Sequence, residues 1–274
     1  MENNLKKFIG KPIEEVVRIV EEKYNNSKIS NIEAIKILEL CINTKNIDIY
    51  YRGSLFQKLW ELSKSIEGHK IYFSQAGQDK FIDDYFFKGK ENGKFVEIGA
   101  YDGLLGSNSL YFEKFLKWEG IIIEPSTLFI DVIKKYRTSF FENVAISNKE
   151  GFEDFLSIED GYKQMSGLLK SYNKNSLDFV RRNKKHKENI VKVKTQKIEN
   201  ILKKHNYYFI DYFSIDVEGS EETIFSNFDF NKFKISIFSI ENNTGKKNKV
   251  SEIMENNNYK LVNIVGKDEI WEKK

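Results

Sequence analysis

Cysteine occurs once, at Cys41, in a chain of 274 residues, which excludes an internal disulfide. No C-x-x-C or H-E-x-x-H spacing offers a zinc framework. The three histidines, His69, His186 and His205, fall outside the segments that carry glycine turns or acidic strand ends, so a histidine general base is disfavoured. No apolar run approaches the roughly 18 residues that mark a membrane-spanning helix, and the opening MENNLKKFIGKPIEE lacks the apolar stretch of a secretory signal. An excess of one charge is also missing. Forty-four Lys and Arg against 41 Asp and Glu leave +3, no basis for a nucleic-acid partner. The expectation is a cytoplasmic, reducing setting with no transmembrane segment.

With 40% hydrophobic and 14% aromatic residues, the chain can bury a full core of its own. Apolar residues at helical spacing over Pro12–Lys23, Asn31–Ile42 and Leu55–Ile66 predict an N-terminal helical segment. The expected boundary is Ser65–Lys70, giving residues 1–70 as a helical cap or a dimerisation arm and 71–274 as the main domain. A homo-oligomer stays open on that ground.

The main domain is organised around KFVEIGAYDG, Lys94–Gly103, followed by GIIIEP, Gly120–Pro125. A short apolar run ending on glycine reads as a buried parallel strand entering a tight turn, with Ser107 or Asn108 starting the next helix. Gly99 and Gly103 let a ligand approach the backbone, and Glu124 closes a second apolar strand where an acid can hold both ribose hydroxyls of a nucleoside. The pattern departs from the dinucleotide G-x-G-x-x-G. Glu97 and Asp102 suit a cofactor carrying positive charge, such as S-adenosylmethionine, better than a pyrophosphate. Upstream, Ser74, Gln75 and Gln78 precede a helix that would bring them over the strand ends.

Further along, FENVAIS, Phe141–Ser147, reads as a third strand, where the Asn143 side-chain amide and neighbouring backbone groups can read an adenine edge. Residues 151–194 resist assignment; they contain RRNKKHK, Arg181–Lys187, which is either a solvated face or a phosphate site. Thr195 is expected to cap a helix, and two more apolar strands follow. One ends in Asp216, Glu218 and Glu221, the other in Glu241, Asn242 and Asn243. Crowded carboxylates are costly unless they bind cations or protons. The alternating pattern with a closing antiparallel hairpin predicts an α/β fold, in which ligands bind beyond the carboxyl ends of the strands.

SQAGQD, FVEIGAYDG, SNS, W-x-G-IIIEP, NVAIS, SIDVEGSE and SIEN, in this order over residues 73–272, resemble the FkbM family of S-adenosylmethionine-dependent methyltransferases. The resemblance implies a class I methyltransferase fold, a Rossmann-like seven-stranded mixed sheet, and O-methylation of sugars, often in bacterial glycan or capsular polysaccharide assembly. It places the cofactor at Ser74, Gln78, Glu97, Gly99, Ala100, Asp102, Gly103, Asn108, Glu124, Asn143 and Ala145, and the reacting centre at Asp216 and Glu218. Tyr101 stands where the family commonly has His. Activation of the acceptor hydroxyl is open between a carboxylate base, Asp216 or Glu218, and a divalent cation such as Mg2+ on Asp216, Glu241 and Asn242. The expected acceptor is a sugar, nucleotide-linked if Arg181–Lys187 receives its phosphates. The rivals are an NAD-dependent nucleotide-sugar dehydrogenase or epimerase, whose Tyr-x-x-x-Lys is matched only by Tyr24 and Lys28 ahead of the first strand, and a non-catalytic glycan-assembly partner.

Overall fold

The computed structural model describes residues 12–44, 47–63, 72–172 and 174–274. The expected boundary, Ser65–Lys70, and His69 with it, lie outside the described residues. Three helices come first, α1 (Ile13–Asn25), α2 (Asn31–Ile42) and α3 (Ile49–Ser63). Their apolar stripes, including Val16, Val17 and Val20, Ile37, Leu38 and Cys41, and Leu55, meet in one small core. Ser30 opens α2 through a capping box closed by Glu33. Helix α3 begins earlier than its expected start at Leu55 because its first turns pack on the end of the chain. Gly53 lies so close to Ile264 that a Cβ would stand 2.3 Å from its Cγ2, and Tyr50 donates to Glu269.

The chain then forms α4 (Gln78–Ile82), which runs into a π-helical turn (Asp83–Phe87), β1 (Lys94–Ile98), α5 (Leu110–Leu116), β2 (Glu119–Ile123), α6 (Ile130–Tyr136) and β3 (Phe140–Glu142). A second group comprises β4 (Ala145–Ile146), β5 (Gly151–Asp160), β6 (Gly167–Leu168), α7 (Lys174–Arg181) and β7 (Lys187–Gln196). The fold closes with α8 (Ile198–Lys204), β8 (Phe209–Ile215), α9 (Glu221–Phe225), β9 (Lys234–Glu241), α10 (Lys249–Asn256), β10 (Tyr259–Val265) and β11 (Asp268–Lys273).

Seven strands make a mixed sheet in the order β3-β2-β1-β8-β9-β11-β10, parallel except where β11 runs against β9 and β10. Strands β1, β2, β8 and the end of β9 are buried, as parallel strands covered on both faces must be. The chain steps from β1 outward to β2 and β3, then returns to lay β8 on the other side of β1. Strand direction of travel therefore reverses between β1 and β8, where α/β sheets open a crevice. Ile98 pairs with Ile123 and with Ile215, and Ile215 with Ile240, so Gly99, Glu124, Asp216 and Glu241 emerge along one edge.

The segment that resisted assignment builds a second sheet, β4-β7-β5-β6. Here β5 and β7 pair antiparallel from Gly151↔Thr195 to Asp160↔Lys187. One face packs Phe155 and Val193 against Ala145 and Leu168, and the other buries Leu156 and Ile158 beside Val180 of α7. Two expectations change as a result. Phe141–Ser147 is not one strand: Phe140–Glu142 joins the large sheet, Ala145–Ile146 the small one, and the chain turns between them. Thr195 does not cap α8; it is buried inside β7 opposite Ala145, and Lys197 precedes the helix. Among the described residues no helix is long and apolar enough to cross a membrane.

Candidate active site

A cavity occupies the crevice between the strand ends and the small sheet, bordered by Glu97, Gly99, Ala100, Asn108, Glu124, Ala145, Asp216, Glu218 and Glu241 among others. Gly99 is fixed by geometry. Its φ is +83°, and a Cβ there would stand 1.7 Å from the carbonyl oxygen of Asp216, so only glycine lets β1 and β8 close on each other. Tyr101 and Glu218, at φ +55° and +54°, hold left-handed backbone without being glycine, as do Ser27, Lys88, Asn92, Lys117, Asn206 and Asn258 away from the cavity.

Below the turn, Glu97 is satisfied from within the protein. The Ser107 and Ser109 hydroxyls and the Asn108 amide donate to it, the last at 2.7 Å, and buried Arg137 approaches at 3.5 Å. Arg137 also donates to the Gly103 carbonyl at 2.7 Å and to Glu113 at 3.0 Å. Burial opposes the charge on Glu113, yet Arg137, Ser139 and Thr138 hold its pKa down to about 2. This guanidinium ties the glycine loop to α5. No motif marked it in the sequence, since a lone Arg at the end of an amphipathic helix reads as solvated.

Glu124 borders the cavity with each carboxylate oxygen on one backbone amide, Tyr101 at 2.9 Å and Ser126 at 2.7 Å. Burial pushes its pKa up to about 7 against those two amides, with Asp216 adding to the rise. The far end of the cavity holds three carboxyl groups, Asp216, Glu218 and Glu241, with oxygens within 4.8 Å of one another. Burial raises all three, Asp216 to about 7 and Glu218 to about 8; the charges of Asp268 and Glu221 add to the rise at Asp216, which a hydrogen bond from Glu241 opposes, those of Asp216 and Glu221 add to it at Glu218, and those of Asp216 and Glu218 add to it at Glu241, while Lys267 pulls Asp216 and Glu218 back. Oε2 of Glu241 is buried and receives no hydrogen bond from a donor. A proton shared with Asp216, or a cation, is what satisfies it.

Several expected site residues do not border this cavity. Ser74 and Asp79 bond one another, and the Gln78 side-chain oxygen accepts from the Ala76 amide, so both belong to the loop that enters α4. Asp102 turns away from any ligand to accept from the Leu104 and Leu105 amides, the short-range bonding that Asp offers tight turns. Gly103 contributes its carbonyl to Arg137 instead. Asn143 donates to the carbonyls of Glu124 and Pro125, holding the loop after β2 rather than meeting an adenine. Asn242 is spent on Lys246, Thr244 and Glu269, so Glu218 takes its place in the carboxyl cluster. In the basic segment, Arg181 and His186 pair with Glu188, and none of Arg181–Lys187 reaches the cavity.

Sequence reasoning missed the roof. The turn Lys163–Met165 and Ser166–Leu168 hang from the small sheet over the crevice, and Lys267 enters from the β10–β11 turn. Their only sequence signal was a polar, glycine-containing stretch of no clear periodicity. The segment is latched to the carboxylate turn: Ser220 bonds Ser171 at 2.7 Å, and a Cβ on Gly219 would stand 2.6 Å from the Ser171 carbonyl.

The Methyltransferase FkbM domain matches residues 97–261, well over half of the chain and both ends of the cavity. Among solved structures, the crystal structure of a methyltransferase FkbM from Methylobacillus flagellatus KT is similar at 13% identity and a TM-score of 0.39. That likeness covers 88% of this chain and 58% of the other, so the chain spans little more than half of that protein's length. No curated protein matches significantly.

Proposed function

The chain belongs to the FkbM methyltransferase family, and from that premise we propose that it transfers the methyl group of S-adenosylmethionine to a hydroxyl of a sugar. The observation that carries this reading is one cavity with two unlike ends. At one end the Gly99 turn and Glu124 offer open backbone and a ribose-binding acid; at the other, Asp216 and Glu218 face the same space. The mixed seven-stranded sheet is in keeping with a class I methyltransferase-like fold. The sugar, and a place in bacterial glycan or capsule assembly, rest on the family resemblance.

An alcohol is a weak nucleophile at neutral pH and needs its proton removed as it reacts. A carboxylate whose pKa is lifted to about 7 or 8 is matched to that task, because it is still ionised near neutrality yet holds a proton well. In the proposed step Asp216 or Glu218 takes the hydroxyl proton and the oxygen forms a bond to the methyl carbon. The carbon–sulfur bond breaks with its electrons passing to sulfur, leaving S-adenosylhomocysteine. The acidic end also favours the cationic sulfonium over a neutral product.

A second reading is favoured by the three clustered carboxyl groups and the undonated Oε2 of Glu241. Asp216, Glu218 and Glu241 are oxygen donors of the kind a hard divalent cation takes, and such an ion would lower the acceptor hydroxyl's pKa. Titration calorimetry with S-adenosylmethionine, S-adenosylhomocysteine and NAD tests the main reading: the first two bind and NAD does not. Glu124→Ala weakens S-adenosylmethionine by about 1–3 kcal/mol, the loss of hydrogen bonds to a charged group. An unchanged dissociation constant would remove the ribose assignment, and preferential NAD binding would turn the reading toward a dehydrogenase. Methyl transfer that survives exhaustive chelation decides against the cation.

A further inference from the structure

The most uneven charge in the chain lies outside the cavity. From Arg181 to Lys197 eight residues are Lys or Arg and one, Glu188, is acidic, so this stretch carries +7 in a chain whose net charge is +3. All eight cations are exposed. Arg181 pairs with Glu188, and Lys192 with Asp154 at 2.9 Å. Arg182, Lys184, Lys185, Lys187, Lys194 and Lys197 form no ion pair among the described residues. Cations gathered at this density on one side of a molecule create a potential that reaches beyond it.

The small sheet sets part of this charge beside apolar side chains. Along antiparallel β5 and β7, residues opposite one another share a face and alternate residues take the other. The inner face holds Phe155 and Val193 against Ala145 and Leu168, and Phe155, Ala145 and Leu168 border the cavity. The outer face carries Phe152 opposite Lys194, Asp154 opposite Lys192 and Leu156 opposite Ile190. Val180 of α7 covers Leu156 and Ile158, but Phe152 is 71% and Ile190 56% exposed. Phe179, at 51%, is exposed on the helix that leads into the basic turn. The acids carried by the outer face, Asp154 and Glu188, are the two already paired, and α7 adds Asp178.

A soluble polyanion would satisfy the lysines and leave the phenylalanine and isoleucine in water. The interface of an anionic bilayer offers phosphate to the cations and hydrocarbon to the apolar side chains beside them. We propose that the outer face of the small sheet, with the turn from α7 to β7, is a docking surface for an anionic lipid bilayer. Lysine stems flank the apolar side chains as these enter the interface, while the ammonium groups stay at the level of the phosphates. The cavity lies behind the opposite face of the sheet. Docking is therefore independent of the reaction that the cavity performs.

Co-sedimentation of the full chain with vesicles tests this. The probes are phosphatidylcholine vesicles with and without about 30% phosphatidylglycerol, at low salt and at about 0.5 M salt, and a heparin column as the soluble polyanion. The anionic vesicles should bind at least about ten-fold more tightly than the neutral ones, and salt should reduce that advantage. Lys184→Gln with Lys185→Gln should weaken vesicle binding by about thirty-fold, the worth of two cations beside an anionic surface. Phe152→Ser with Ile190→Ser, at exposed positions and checked by thermal melting, should weaken vesicle binding by about ten-fold and leave heparin retention unchanged. Equal binding to neutral and anionic vesicles, or no vesicle binding at low salt, would overturn the proposal. So would vesicle binding that ignores the Phe152 and Ile190 substitutions, since the surface would then be a site for soluble polyanions.

Discussion

Replacing Glu241 by Gln in the carboxyl cluster is expected to make the protein more stable at alkaline pH, the reverse of what loss of a buried contact usually does. The oxygens of Asp216, Glu218 and Glu241 lie within 4.8 Å. At that distance and an effective dielectric of about 20, two unit charges repel by about 3.5 kcal/mol, or about 2.5 pKa units. Burial adds to the rise in all three groups. Because the folded pKa values exceed the unfolded values of about 4, the folded protein binds more protons than the unfolded chain between those limits. The stabilising contribution is thus complete below about pH 4 and is lost as pH climbs through about 7 for Asp216 and about 8 for Glu218. In chelator, the wild type should lose stability from pH 5.5 to 8.5. Glu241→Gln removes one ionisable group while its amide can still donate to Asp216, so at pH 8.5 it should gain about 2–3 kcal/mol, some 4–10 °C in Tm. At pH 5.5 the advantage of the variant should shrink to about 1.5 kcal/mol, because the unfolded glutamate is already ionised there. Paired urea and thermal melts across this range decide the matter. A wild type with no fall in stability, or a variant less stable at pH 8.5, would refute the electrostatic account of the cluster.

Gly99→Ala should cost more than about 3 kcal/mol or prevent folding, since its methyl group would meet the Asp216 carbonyl at 1.7 Å in a backbone of φ +83°; expression and urea melting at or near wild-type levels would contradict the close approach of β1 and β8. Arg137→Met strands Glu97 and Glu113 without their buried partner and should cost about 3–5 kcal/mol in urea melts. A loss below about 1 kcal/mol would mean that the guanidinium does not hold the loop together.

The strands beside the site were legible because burial on both faces leaves a continuous apolar signature. Phe95–Ile98, Ile121–Ile123 and Tyr212–Ile215 show it, and their register then fixes where Gly99, Glu124 and Asp216 emerge. Strands β5 and β7 carry no such mark. Their ribbon leaves Phe152, Ile190 and Val191 exposed and interleaves them with charges, so propensity and pattern pointed in different directions. Polar residues next to motifs were the other blind spot. Asp102, Asn143 and Asn242 sit at strand ends as ligand-binding residues do, but short side chains at such places find backbone groups first. Arg137 is the converse: its partners lie 24 and 40 residues away in sequence, and only the fold brings them together.

The small sheet also governs how the protein behaves in concentrated solution. Among the described residues β7 pairs outward only at its last two positions, Thr195 and Gln196, which leaves the backbone from Lys187 to Lys194 as an open edge beside exposed Ile190 and Val191. Such an edge is a template on which another chain can add a strand. Lys187, Lys192 and Lys194 stand along it, exposed, and each must be desolvated before a second edge can approach. Monodispersity is therefore expected to depend on lysines remote from the chemistry, and acetylation or neutral substitution at these three positions should act on aggregation rather than on catalysis.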